Sequence, residues 1–276
     1  MIQNSTARLS LIVLLLFPLF SLAPLAQAQQ QEKKSEFGSS EREQGGLLGT
    51  FYDLKQNQKR QPTNMTHGTY VQVLGEFFQK GLDESVLNRY FRATRSLYTT
   101  QLWIPVMKAD AAPQAFGVGA FVKPRMWVAH YKGQVIPPSA GAYRFWGLGD
   151  DILCVAVNEK LVLMSNWAGM GLPNVPWKKP DVPAQPFAGS SKIIPGDWIE
   201  VKDHETLDLD VLIGELPGSL FCTFLLVEKR GETYEMINGV PRLPIFQLAP
   251  YETPQPGPGQ KAPFYAPKGP VWKGVE

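Results

Sequence analysis

Residues 127–158, WVAHYKGQVIPPSAGAYRFWGLGDDILCVAVN, leave room for little besides β-structure. Residues 127–131 alternate large and small side chains, Gly133 opens a turn, Val135 and Ile136 are β-branched, and Pro137-Pro138 stop any helix. A strand resumes at Tyr143-Arg144-Phe145. Beyond Gly147 and Gly149 stands the acidic pair Asp150-Asp151, and then residues 152–157, an apolar run of strand length suited to burial on both faces. Turns at this spacing predict an all-β, antiparallel sandwich.

The pattern resembles the anthrax protective-antigen domain family, called here the PA-fourteen family, whose members share a glycine-proline turn, a G-x-Y-x-F strand, an acidic pair and a V-x-V-N/D strand end. The matching residues are Gly133, Ile136, Pro137, Gly141, Tyr143, Phe145, Asp150, Asp151, Val155, Val157 and Asn158, and residues 46–52 resemble the family's opening strand. The likeness covers the central third, the opening strand and the β-rich residues 198–234, and it is absent from the helical stretch between. It implies a lectin-like, jelly-roll-type sandwich. Several branches of the family bind carbohydrate, so the implied partner is a glycan or polysaccharide.

In the calcium-dependent adhesin branch of that family the paired aspartates are joined by a cis peptide. Both side chains then reach one ion, which coordinates sugar hydroxyls. Carried over, Asp150 and Asp151 would hold calcium and, through it, carbohydrate; calcium prefers several hard oxygen ligands and accepts vicinal hydroxyls among them. A third protein ligand is expected from a distant loop, and Asn238 in the Asn238-Gly239 turn is the candidate. Asn158 is a poor one, because seven residues of strand place it roughly 23 Å from Asp151. The alternative is that Asp150 caps backbone amides in a turn while Asp151 faces solvent. Trp177 and Phe187, in the proline-rich loop of residues 166–191, either stack on sugar rings or cover the core beneath that loop. Trp103, Trp127, Trp146 and Trp198 read as core.

Ahead of the sandwich, Arg8, an apolar run over residues 9–25 and Ala26-Gln27-Ala28 read as a secretory signal peptide over residues 1–28. The expected location is secreted or periplasmic. Residues 29–45 are polar with one aromatic and read as a flexible leader. Residues 250–276, crowded with proline and glycine, read as a disordered tail. One folded domain is expected over residues 46–249, with a small helical insertion near residues 66–98 packed on an edge of the sandwich. There, Thr66 or Thr69 caps a helix ended by Gly81, and Asp83 caps a second one through Val86, Leu87, Tyr90 and Phe91. Residues 207–211 read as a half-exposed strand of period two.

Cys154 and Cys222 either close one bridge in an oxidising compartment or remain two buried thiols. Scattered basic residues and a formal net charge of +2 argue against nucleic acid. No zinc spacing, nucleophile elbow or phosphate loop is present, and adjacent aspartates cannot be the separated carboxylates of glycoside hydrolysis. The sequence therefore reads as a binding module rather than an enzyme. Its rival reading is a structural or interaction module of the cell envelope, holding envelope proteins through the helical insertion and the tail.

Overall fold

The computed structural model describes residues 1, 35–42, 45–173, 175–188, 191–237, 239–250, 258, 261–266 and 269–275. The chain separates into two units, Met1–Gln31 and Glu32–Glu276. All of the first but Met1 lies outside the described residues, and with it the signal-peptide reading. No helix of the described residues is long and apolar enough to cross a membrane.

The second unit begins with β1 (Leu47–Asn57), α1 (His67–Gln79), β2 (Tyr90–Arg92), β3 (Leu97–Thr99), β4 (Trp103–Lys108) and the short α2 (Ala111–Ala115). The central strands follow: β5 (Trp127–Ile136), β6 (Gly141–Asp150), β7 (Ile152–Val157) and β8 (Lys160–Asn166). Then come β9 (Gln185–Ala188), β10 (Ser191–Pro195), β11 (Ile199–Val201), β12 (Leu207–Glu215) and β13 (Leu220–Lys229). The last strands are β14 (Met236–Ile237), β15 (Val240–Pro241) and β16 (Lys273–Val275). Every strand pair is antiparallel.

Sheet I runs β2-β1-β5-β12-β7-β8, with β3 beside β1 and β16 beside β5; sheet II runs β4-β13-β6-β10-β9, with β11 beside β6. Side-chain alternation assigns the layers. On β7, Leu153, Val155 and Val157 enter the core shared with sheet II, while Ile152, Cys154 and Ala156 enter the cluster shared with α1. The apolar run is thus buried on both faces, as its composition requires. A third cluster, with Trp103, Trp146, Leu148, Phe224 and Ile245, covers the outer face of sheet II.

Helix α1 starts where its cap predicts. Thr66 accepts from the Thr69 amide and Thr69 reciprocates toward the Thr66 amide, which satisfies two otherwise unpaired donors. The helix ends at Gln79, with Gly81 at φ +65°. It lies on the face of sheet I and not on an edge, because Tyr70, Leu74, Phe77 and Phe78 need an apolar partner and the outer sides of β7 and β12 supply one. Gly75 admits the loop here: a Cβ on it would stand 3.0 Å from Pro173 Cγ.

The second helix does not form. Asp83 caps no helix: it accepts from the Ser85 amide at 2.9 Å in a local turn, and the single turn of 3-10 helix that follows, over Leu87–Arg89, starts at Val86 without a side-chain cap. Tyr90, Phe91 and Arg92 instead pair with β1, so the sheet overrides the helical spacing.

Both chain ends depart from the unstructured reading. Phe37 of the leader is buried, stacks on Phe221 with centroids 5.8 Å apart, and lends its carbonyl to the Tyr131 hydroxyl. Residues 273–275 return as β16 along β5, and Trp272 fills the inter-sheet core between Tyr143, Phe145 and Phe246. The two cysteines do not meet. Cys154 belongs to the helix-side cluster and Cys222 to the outer face of sheet II, with both sheets between them, so both are free buried thiols. Strand β12 keeps Asp208 exposed but buries Asp210.

Candidate functional site

The β6 to β7 corner is built on a glycine. A Cβ at Gly149 would stand 2.1 Å from the Leu153 amide nitrogen, so only glycine lets the chain reverse this tightly. The next residues, Asp150 and Asp151, are joined by a cis peptide. Asp150 is half-buried at the end of β6, opposite Cys222 in register. Asp151 is buried. Its amide donates to the Gly214 carbonyl at 3.1 Å, and its carbonyl accepts from the Trp167 amide at 2.8 Å. Its Oδ2 accepts from the Leu216 amide at 2.8 Å. Asp151 is therefore the residue that caps a backbone amide, the reverse of the turn-and-solvent alternative.

The strand supplying Leu216 also supplies a third carboxylate. Glu215 ends β12 on the same inward face as Val211 and Ile213, and it is 0% exposed. One of its oxygens accepts from the Gly218 amide, and the other, Oε2, faces no hydrogen-bond donor. Burial, and then the Asp151 charge, push the Glu215 carboxyl far above the ordinary carboxylate range. Burial raises Asp151 as well, against the Leu216 amide that favours its charged form, and Asp151 and Glu215 are within reach of one shared proton. Burial followed by the Asp151 charge lifts Asp150 to about 6. Among the described residues no lysine or arginine forms an ion pair with any of the three. The His67 ring at the start of α1 is close enough to act on Asp151, in the direction that favours its charged form.

The same corner carries an exposed aromatic. Trp167, directly after β8, is 46% exposed and lies tilted against the His67 ring with centroids 6.2 Å apart. His67 in turn hydrogen-bonds the Met170 carbonyl at 3.1 Å, which ties α1 to the loop.

The remaining residues singled out from sequence are placed elsewhere. Trp177 packs against the helix-side cluster and donates Nε1 to Asp197 at 3.1 Å. Phe187 meets Phe224 edge-on at 5.2 Å on the outer side of sheet II. The two rings cover different layers and do not flank one ligand. Asn238 lies outside the described residues. Trp103, Trp127 and Trp146 are core; Trp198 is half-buried, with the guanidinium groups of Arg144 and Arg230 4.4 and 4.6 Å from its ring. Glu215 and Trp167 were missed as site residues. The period-two reading covers only residues 207–211 and stops short of Glu215, and Trp167 lies within the loop of residues 166–191, where only Trp177 and Phe187 are singled out.

The donor set is hard oxygen throughout, the chemistry calcium takes and zinc or copper does not prefer. Among the described residues no three Asp, Glu, His or Cys side chains are arranged to hold a metal ion by themselves. What is present fits a calcium ion held by Asp150 and Asp151, the rest of its six to eight oxygens drawn from water, backbone carbonyls or a ligand's hydroxyls, rather than a closed protein cage.

No protein-family profile matches the sequence, and no curated protein sequence does either. Among solved structures, the chain is similar to the PA14 sugar-binding domain of an RTX adhesin, at 12% identity and a TM-score of 0.41, over 71% of this chain and 96% of that one. It is similar to the PA14 domain of the antifreeze protein MpAFP, at 12% identity and a TM-score of 0.40, over 69% of this chain and 85% of that one. A third similarity is to the A domain of epithelial adhesin 6 from Candida glabrata, solved with Galβ1-3GlcNAc, at 11% identity and a TM-score of 0.40, over 72% and 88%.

Proposed function

We propose that this chain is a non-catalytic carbohydrate-binding sandwich in which Asp150 and Asp151 hold a calcium ion and Trp167 offers an aromatic face to the sugar. The observation that carries the reading is the carboxylate cluster: Asp150, Asp151 and the fully buried Glu215 stand together, and among the described residues no lysine or arginine forms an ion pair with any of them. Buried charge of one sign is costly unless it is protonated or paired with a cation. A bound calcium ion would balance that charge and leave coordination positions open to vicinal hydroxyls.

The chain's own residues divide the work. Asp151 is fixed by the Leu216 amide and by the two backbone bonds to Gly214 and Trp167. Asp150 is the less buried of the pair. Trp167 supplies an apolar ring for the C–H face of a sugar, worth about 0.5–1.5 kcal/mol as a stacking contact. The rival envelope-interaction reading is the weaker one, because the apolar face of α1 and Trp272 of the tail are buried in the fold and so are not offered to a partner. Secretion belongs to the same proposal, with residues 1–28 as the removed leader; N-terminal sequencing of the mature protein starting at Gln29 supports it.

The test is calorimetric titration of calcium into the chelator-treated protein, beside the double variant Asp150→Ala, Asp151→Ala, followed by a glycan array with and without calcium. Saturable binding absent from the double variant, and sugar capture that needs calcium, are expected. A protein that takes up no calcium, or that captures glycans equally well after chelation, overturns the mechanism.

A further inference from the structure

Away from the carboxylate corner, the sandwich buries a second ionisable group, His130. It sits at the centre of β5 with Thr50 of β1 opposite it in register. Its Nε2 is 2.9 Å from Asp210 Oδ1 on β12, and its Nδ1 is 3.4 Å from Glu84 Oε1 on the segment that follows α1. Each contact sets one ring nitrogen against one carboxylate oxygen. Lys132, on the same face of β5, stands 3.5 Å from Asp210 and 3.7 Å from Glu84. From α1, Phe77 meets the ring edge-on at 5.4 Å. From β7, Cys154 faces Asp210 as a neutral buried thiol, and from the β1 and β2 side Tyr52 and Arg92 act on Glu84.

Both ring nitrogens thus face carboxylates. A neutral imidazole has one N–H and one lone pair, so it can satisfy only one of the two partners; the imidazolium satisfies both. Asp210 is anchored within a central strand and is nearly buried, whereas the Glu84 side chain is 37% exposed and sits on a connecting segment. When the proton leaves, Glu84 is the partner that can turn toward solvent, keeping only the longer 3.7 Å contact with the half-exposed Lys132. We propose that His130 is a pH-operated latch whose imidazolium holds the segment 82–89 on sheet I through Glu84 and whose deprotonation releases it.

The direction of titration agrees with the geometry. Burial alone would lower the His130 pKa, but Asp210 and Glu84 outweigh it and the net shift is upward from 6.5. Contact with His130 holds Glu84 below its ordinary value, against partial burial. For a base raised in the folded state, the stabilisation is fully present below the unfolded pKa and is lost as pH rises through the folded one. For an acid lowered in the folded state, it is present above 4.5 and lost as pH falls through the folded value. The latch is therefore closed at mildly acidic pH and opens as pH rises from 6.5 through the raised folded-state value.

The amides of Leu82, Val86 and Asn88 report on it, since each is hydrogen-bonded inside the segment or to the end of α1. Their hydrogen-exchange protection, corrected for intrinsic chemistry and referred to core amides of β12, is expected to fall about tenfold between pH 6 and pH 9, the equivalent of one pKa unit of coupling. Replacing the buried His130 risks misfolding, so the informative variant is Glu84→Gln at the exposed end. It should show the weaker protection at both pH values and no step. A flat wild-type profile, a fall shared by the core amides, or a step of the same size in Glu84→Gln each overturns the latch.

Discussion

At the residue scale, the carboxylate corner is held together against its own charge. The alternation of β12 turns Glu215 inward, where its Oε2 has no donor and its carboxyl stays protonated well past the usual range. A buried acid raised in this way binds its proton more tightly folded than unfolded, so stability is lost as pH rises through the folded-state pKa. With calcium chelated, the protein should therefore lose stability as pH rises from the ordinary carboxylate range to about 6, the span over which Asp150 titrates, and go on losing it above 6 through Glu215, and calcium should oppose that loss. Denaturant midpoints at pH 5 and pH 8, with and without the ion, measure both effects; a midpoint that is flat with pH in chelator contradicts the burial of these charges. Glu215→Gln keeps the shape and no longer has to hold a proton that the unfolded chain gives up at this pH, so it should raise the stability of the chelated protein at pH 8 by about 1–3 kcal/mol. At the rim, Trp167→Ala should weaken sugar binding about threefold to tenfold while leaving calcium affinity unchanged.

At the element scale, what was legible was local. The capping pair Thr66 and Thr69 announced α1, and the glycine-punctuated apolar runs announced β5, β6 and β7, because in each case neighbours along the chain fix the conformation. Thr66→Ala should cost about 1 kcal/mol, read as a shift in the denaturant midpoint at constant slope. What was not legible depended on partners far along the sequence. Residues 90–92 have helical spacing, yet β1 offered a ladder and won. Helix α1 lies on a face and not an edge because the outer side of sheet I is itself apolar, which only the assembled sheet reveals. The site divides in the same way. The adjacent pair Asp150 and Asp151 stood out as a motif, but the Leu216 amide that fixes Asp151 comes from 65 residues away, and Glu215 comes with it.

At the scale of the whole molecule, the sandwich is closed by its ends. The composition of residues 250–276 suggested a tail that could bury nothing, yet one aromatic within it changes that balance. Trp272 is fully buried between the sheets, in contact with rings from β6 and from the segment after β15, and it brings β16 onto β5 beyond the reach of β1. The leader does the same from the other direction, Phe37 packing on Trp127 and Phe221. Both aromatics fill the inter-sheet core whose far strand ends carry Asp151 and Glu215, so the tail is part of the scaffold that positions the site. Trp272→Ala should cost about 3–5 kcal/mol, the range for a buried aromatic reduced to alanine. In a chain of this size that lowers the thermal midpoint by on the order of 10 °C. A chain ending at Pro250 should lose at least as much, because the strand goes with the ring. Calorimetry of both forms decides: a Trp272→Ala midpoint within a degree of wild type means that the tail rests on a sandwich already complete without it.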